Sequence, residues 1–306
     1  MSNTLLYIIT VLIWGSTWLA IEFQLGVVEP EVSIVYRYAI ASALLFAWSS
    51  IRGLRLKFDL RSHAWFVLLG FFLFCLNYIL TYRAQVHITS ALCAIVFTAM
   101  VWINILLSRI FFNVRAGRRV LGGAALGILG IVVLFAPQID EVSLTDSVFY
   151  GSVLAALGAF VASFGNMASQ KAQLLKLPVI QSNAWGMFYG ACLTAIYTII
   201  AGYRFTFEYS PDYIVSLAYL SIFGSIIAFG AYLTLLGRIG AHKAGYAMVM
   251  FPVVALILSM LFEGLHMDAS IIVGTTFVLA GNVFVLKGAT PTKPPNPVGV
   301  RVDSDS

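Results

Sequence analysis

The sequence predicts an all-α integral membrane protein in which ten transmembrane helices form two inverted five-helix repeats, with both termini in the cytoplasm (N-in/C-in). Three observations predict it. Ten apolar stretches can be marked along the 306 residues, at 4–21, 30–50, 64–83, 90–110, 118–136, 147–170, 178–202, 211–236, 242–262 and 269–286. Each is long enough to cross a hydrocarbon core about 30 Å thick at about 1.5 Å of rise per helical residue. Fifteen of the 18 Lys and Arg residues fall on one side of that reading, and the second half repeats the first at an offset of 151 residues.

Taken in order, the first stretch lacks a basic lead-in and is one of ten, so it reads as a retained helix rather than a cleaved signal peptide. It carries Trp14, Thr17 and Trp18 and ends at Glu22. Helix two holds Arg37, about 10 Å below its outer end at Pro30. The inner loop after it carries Arg52, Arg55, Lys57 and Arg61. Helix three presents Phe71, Phe74, Tyr78 and Tyr82 at i, i+3, i+4 spacing, one face of an α-helix, with Asn77 and Thr81 beside them. Helix four contains Trp102 and leads into Arg109, Arg115, Arg118 and Arg119 on the inner side. Helix five is marked by Gly122, Gly123, Gly127 and Gly130, with small-xxx-small spacing between Gly123 and Gly127 that suits close packing in lipid.

Helix six carries Asn166 and ends at inner Lys171 and Lys176; helix seven follows, and helix eight contributes Phe229 and Tyr232 before inner Arg238 and Lys243. Helix nine holds Pro252 and ends near Glu263, and helix ten contains Gly274 and Gly281. Lys287, Lys293 and Arg301 complete the inner set; Arg83 and Arg204 lie outside and Arg37 within a span. Lys and Arg asymmetry in short loops orients membrane helices, which places both termini inside. The tail 289–306 sets Pro291, Pro294, Pro295 and Pro297 among polar residues and reads as a disordered cytoplasmic segment. The two repeats are assigned to 1–146 and 147–288.

The offset places Ser108 on Ser259, Gly123 on Gly274, Gly130 on Gly281 and Val132 on Val283, with hydrophobic boundaries also coinciding. Five helices per half is odd, so the second copy enters the membrane in the opposite sense. Inverted repeats recur in secondary transporters, with the substrate site near the midplane where the halves meet.

Composition excludes several classes. A chain 60% hydrophobic and 10% charged, with mean hydropathy +0.94, is not a soluble domain. Its net charge of +5 is divided among the inner loops and offers no continuous patch for nucleic acid. Cys75, Cys93 and Cys192 all sit within apolar spans, which argues against a disulfide framework or a thiolate metal site. His63, His87, His242 and His266 stand singly, so no metal or cofactor is expected. There is no phosphate-binding G-x-x-x-x-G-K-[ST] run, no H-E-x-x-H, and no pair of carboxylates at membrane depth.

Ile13-Trp14-Gly15-Ser16-Thr17, Tyr36-Arg37-Tyr38, Asn77-Tyr78, Thr89-Ser90-Ala91, Gly240-Ala241-His242, Pro252 and Glu263-Gly264 follow one another in an order and spacing that resembles the drug/metabolite transporter superfamily, of the bacterial EamA type, across 4–286. The resemblance implies a ten-helix fold around a central cavity, in a bacterial inner membrane, exporting or exchanging small metabolites. Phe112 stands where the offset gives Glu263, and Val101 opposite Pro252, so the half-repeats are not equivalent.

The candidate substrate-binding residues are Trp14, Thr17, Asn77, Tyr78, Tyr82, Trp102, Asn166, Phe229 and Tyr232. Tyrosine hydroxyls and amides at membrane depth need hydrogen-bond partners, which favours a polar cavity. Trp18, close to the outer end of its helix, reads also as an interfacial belt residue. Arg37 costs free energy in the membrane and requires compensation. It reads as a counter-ion for a substrate carboxylate or part of an outer gate, or as a group satisfied by Glu22, backbone carbonyls and interfacial water. The aromatic faces suit an amphipathic solute such as an amino acid. The expected partners are therefore a small solute and the lipid bilayer, with a homodimer left open. The competing classes are a membrane scaffold or regulator without transport and, with less support, an intramembrane enzyme.

Overall fold

The computed structural model describes residues 1–141, 146–254 and 269–287, and the regular elements among them are all helical. Glu263-Gly264 and the tail 289–306 lie outside the described residues. Helix α1 spans Asn3–Glu22 behind an N-cap, Ser2, whose hydroxyl accepts from the Leu5 amide at 3.2 Å. Helix α2, Pro30–Ile51, starts on a proline, which lacks only an N–H that the first turn leaves unused. Helix α3 runs from Leu60–Leu69 through a π-helical stretch, Gly70–Leu76, into Asn77–Gln85. Helix α4 comes in two pieces, Ser90–Phe97 and Met100–Phe112, separated by Thr98 and Ala99.

Helices α5, α6 and α7 are Arg118–Glu141, Asp146–Leu174 and Val179–Ile200. Helix α8 is built like α3, with Pro211–Tyr219, a π-helical Leu220–Ile227 and then Ala228–Ile239. Helix α9 opens after Gly240, where φ is +84°, a backbone region glycine enters without strain. It continues as Ala241–Ala244, tightens into a 3-10 helix over Gly245–Met250 and resumes over 251–254. Helix α10 is Ala269–Lys287.

Among the described residues, six segments are long and apolar enough to cross a membrane: Asn3–Glu22, Pro30–Ile51, Leu60–Gln85, Leu92–Phe112, Ser147–Leu174 and Pro211–Ile239. Their polarity is inside out relative to a soluble protein. On α1, Leu5, Ile8, Leu12 and Leu19 are exposed whereas Thr10 and Thr17 are buried. Helix α7 is more polar and buries Gln181, Ser182, Asn183, Thr194 and Thr198 against its neighbours. Such a surface is at home in hydrocarbon, and the buried hydroxyls there bond back to their own helix, as Thr194 and Thr198 do to the carbonyls four residues earlier, both at 2.8 Å.

Close packing rests on small residues. Helix α5 lies against α10, and α2 and α3 both lie against α7. A Cβ on Gly123 would stand 2.7 Å from the Gly281 carbonyl oxygen, and one on Gly130 would stand 2.7 Å from that of Gly274. At Gly70, the Gly186 carbonyl oxygen would be 2.6 Å away. Helix association in lipid lacks a hydrophobic driving force, so this backbone proximity supplies the dispersion contact that holds the pairs.

The π-helical stretch corrects one expectation. An α-helical spacing puts Phe71 on the face of Phe74 and Tyr78, but the wider π turn rotates one end of α3 against the other. Phe71 is accordingly 38% exposed, and Leu73 and Phe74 face inward. The turn leaves carbonyls for side chains to satisfy: Asn77 Nδ2 donates to the Leu73 oxygen at 3.3 Å, and in α8 Ser225 Oγ donates to the Leu220 oxygen at 2.9 Å. The 151-residue offset carries 70–76 onto 221–227, within the second π stretch, and carries the α4 break at 98–99 onto 249–250, within the 3-10 turn of α9.

Candidate functional site

A central cavity forms where α1, α3, α4, α6, α8 and α9 converge. Its volume is about 60 Å³, so it is narrow. The walls are mostly apolar with a few polar groups, the usual make-up of a small-molecule site.

Helix α1 contributes Trp14, Thr17, Trp18 and Ile21. Trp14 Nε1 donates to the Gly224 carbonyl at 3.0 Å, a carbonyl in the π stretch of α8. Its ring centroid lies 4.6 Å from that of Phe229 and 4.9 Å from that of Tyr232. Trp18 is 8% exposed and packs edge-on against Phe97 at 5.2 Å, so it is a wall residue and not a belt residue. From α3 come Leu73, Asn77, Tyr78 and Thr81. The Thr81 hydroxyl donates to the Asn77 carbonyl at 2.8 Å.

Helix α6 supplies Asn166, buried to 1%, whose Nδ2 donates to Asn104 Oδ1 at 3.3 Å and contacts Met100 Sδ at 3.6 Å. That leaves Asn166 Oδ1 without a partner among the described residues, and the Tyr232 hydroxyl, which approaches both amides, forms no well-aligned bond. Phe97 and Met100 of α4 and Met248 and Phe251 of α9 also line the cavity.

Arg37 is 1% exposed and lies beside this wall. Its Nε donates to Ser225 Oγ at 2.9 Å, and its two terminal nitrogens donate to the hydroxyls of Tyr82 and Tyr78, each at 3.4 Å. The guanidinium carbon is 4.6 Å from the Tyr78 ring centroid and 5.3 Å from that of Tyr38. Tyr82 is fully buried behind Tyr78 and reaches Arg37 without lining the cavity.

Two expectations are corrected. Glu22, expected as a partner for Arg37, is exposed at the end of α1; Arg37 is held instead by one serine and a cluster of tyrosines. Trp102 is 39% exposed and points away, because Thr98 and Ala99 interrupt α4 and turn Met100 and Asn104 inward. The sequence pattern passed over Phe97, Met100, Met248, Phe251 and Asn104. A signal was available for four of them: the 151-residue offset pairs Phe97 with Met248 and Met100 with Phe251, as it pairs Tyr78 with Phe229 and Thr81 with Tyr232.

A family model described as the EamA-like transporter family matches residues 1–136 and 149–287. An uncharacterized inner membrane transporter of Escherichia coli strain K12, YedA, is 27% identical over 249 residues, covering 81% of this chain and 78% of that protein. An uncharacterized transporter of Bacillus subtilis strain 168, YoaV, is 24% identical over 284 residues, with 92% and 96% covered. Protein PagO of Salmonella typhimurium is 22% identical over 260 residues, with 83% of each chain covered. A solved structure, described only as a crystal structure of protein, shares the fold with a TM-score of 0.77 at 20% identity, covering 94% of this chain and 97% of that one.

Proposed function

From the premise that this chain belongs to the EamA-like transporter family, we propose that it is an inner-membrane secondary or facilitative carrier that exports small amphipathic metabolites, amino acids or related solutes, by alternating access. Its ten helices are two inverted repeats with both termini inside. The observation that carries the reading is the central cavity, whose wall includes positions paired by the 151-residue offset, Tyr78 with Phe229 and Phe97 with Met248 among them. The packing of α5 on α10 supports the inversion. Gly123 meets Gly281 while Gly130 meets Gly274, and exchanging each glycine for its offset mate turns one contact into the other. That is the behaviour of two antiparallel helices related by a two-fold axis.

The broken α4 and α9 and the π stretches of α3 and α8 also suit a carrier, since irregular backbone at membrane depth is tolerated where it lines a cavity or packs within protein. The cavity is too narrow for a solute as it stands, so its walls must part, as alternating access requires. A scaffold has no use for a cavity walled by aromatic rings and a few polar groups. Tyr78→Ala tests the reading: flux in proteoliposomes should fall at least about tenfold per folded molecule, with the amount of folded protein changed far less. Unchanged flux per folded molecule removes Tyr78 from the site.

A further inference from the structure

The cavity has two polar poles of opposite character, and they assign an orientation to the solute. At the first, Tyr78 is the residue that both touches Arg37 and lines the cavity. Arg37 is a cation 1% exposed, and the ion pairs among the described residues join Arg83 to Glu29 and Glu31, not Arg37 to an acid. Its bonds to Tyr82 and Tyr78 are long, at 3.4 Å each, and with Ser225 they use three of its five N–H donors. An uncompensated cation of this kind attracts an anion. Guanidinium can only donate, so the Tyr78 oxygen accepts from Arg37, and that bond polarises the Tyr78 O–H as a donor.

At the second pole, Asn166 spends its NH₂ on Asn104 and Met100, which leaves Oδ1 as a bare acceptor on a side chain 1% exposed that lines the cavity. The Tyr232 hydroxyl beside it is likewise without a well-aligned partner. A buried acceptor left unpaired costs free energy that a solute N–H would recover.

We infer that the solute binds with an anionic carboxylate at Tyr78, its charge answered by Arg37 acting through that hydroxyl, and with an N–H donor at Asn166 Oδ1 and Tyr232, its apolar part lying among Trp14, Phe229 and Phe251. Arg37 is thus a positioning residue and Tyr78 the group in contact. The assignment rests on the carrier reading above, and its test separates the two.

Purified full-length protein in detergent is titrated with leucine, methionine and phenylalanine, each alongside its amide and its deaminated acid, with binding followed by the fluorescence of the cavity tryptophans. At least one parent amino acid should bind, its amide and its deaminated acid each binding about tenfold or more weakly. In Tyr78→Phe, which keeps the ring beneath Arg37, the penalty for the amide should vanish and the penalty for the deaminated acid persist. Asn166→Leu should do the reverse. Arg37→Met should match Tyr78→Phe, and Arg37→Lys should restore part of the discrimination. A merely structural role for these residues predicts equal weakening of all three ligands in a set. That result overturns the assignment, as does equal affinity for parent and amide, or failure of all three parents to bind. Counterflow of any other solute by the same protein reconstituted into proteoliposomes would then leave the carrier reading standing, whereas absence of counterflow with every solute would remove the carrier reading too.

Discussion

Among single residues, burial decides which charges matter. Arg37 and Glu31 are both buried, but Glu31 has a partner: Arg83 grips its two oxygens with Nε and Nη2, both at 2.8 Å, and reaches Glu29 at 3.5 Å. This pair ties the N-terminal end of α2 to the C-terminal end of α3. Arg83 retains 31% side-chain exposure, which screens part of its charge. Glu31→Ala should therefore destabilise by about 1–3 kcal/mol in a detergent thermal melt, with Arg83→Ala in the same chain recovering part of the loss. An unshifted melt for Glu31→Ala would mean that the pair adds nothing. Much of the residue-level pattern was legible from sequence: Trp14, Thr17, Asn77, Tyr78, Asn166, Phe229 and Tyr232 stand in the cavity wall. Trp102, Phe71 and the Glu22 pairing were not legible, because each depends on helix phase or on which chain end comes near, and neither is local.

At the level of whole helices, the departures from α geometry do the positioning. The π stretches of α3 and α8 set the phase that brings Tyr78 and Asn77, and Phe229 and Tyr232, inward together. Apolar runs such as Gly70–Leu76 carry no periodic mark of a π turn, which is why an α-helical template misplaced Phe71. Helix pairing, by contrast, was announced by glycines, and it separates two adjacent positions cleanly. A Cβ on Gly123 would meet the Gly281 carbonyl at 2.7 Å, whereas one on Gly122 meets nothing within 4 Å. Gly123→Ala should thus force α5 from α10 and cost about 1–3 kcal/mol by thermal melt. Gly122→Ala should be neutral or stabilise by up to about 1 kcal/mol through better helix propensity. Equal effects at both positions would contradict the packing of this pair.

Across the whole molecule, the sequence made the membrane class legible through segment length and hydropathy, which need no tertiary information. The cavity was not legible to the same degree, because its walls come from six helices and from both halves of the chain. The offset that pairs Gly123 with Gly274 also pairs Phe97 with Met248, so one sequence offset relates residues of the helix packing and residues of the cavity wall. The central claim is that this cavity carries a solute across the bilayer. The most direct test is counterflow in proteoliposomes loaded with unlabelled amino acids and related metabolites, with labelled solute added outside. Transient accumulation of one chemical class is expected, competed by its analogues and lost in Tyr78→Ala. Absence of accumulation for every class from well-folded protein, or accumulation untouched by Tyr78→Ala, would contradict it.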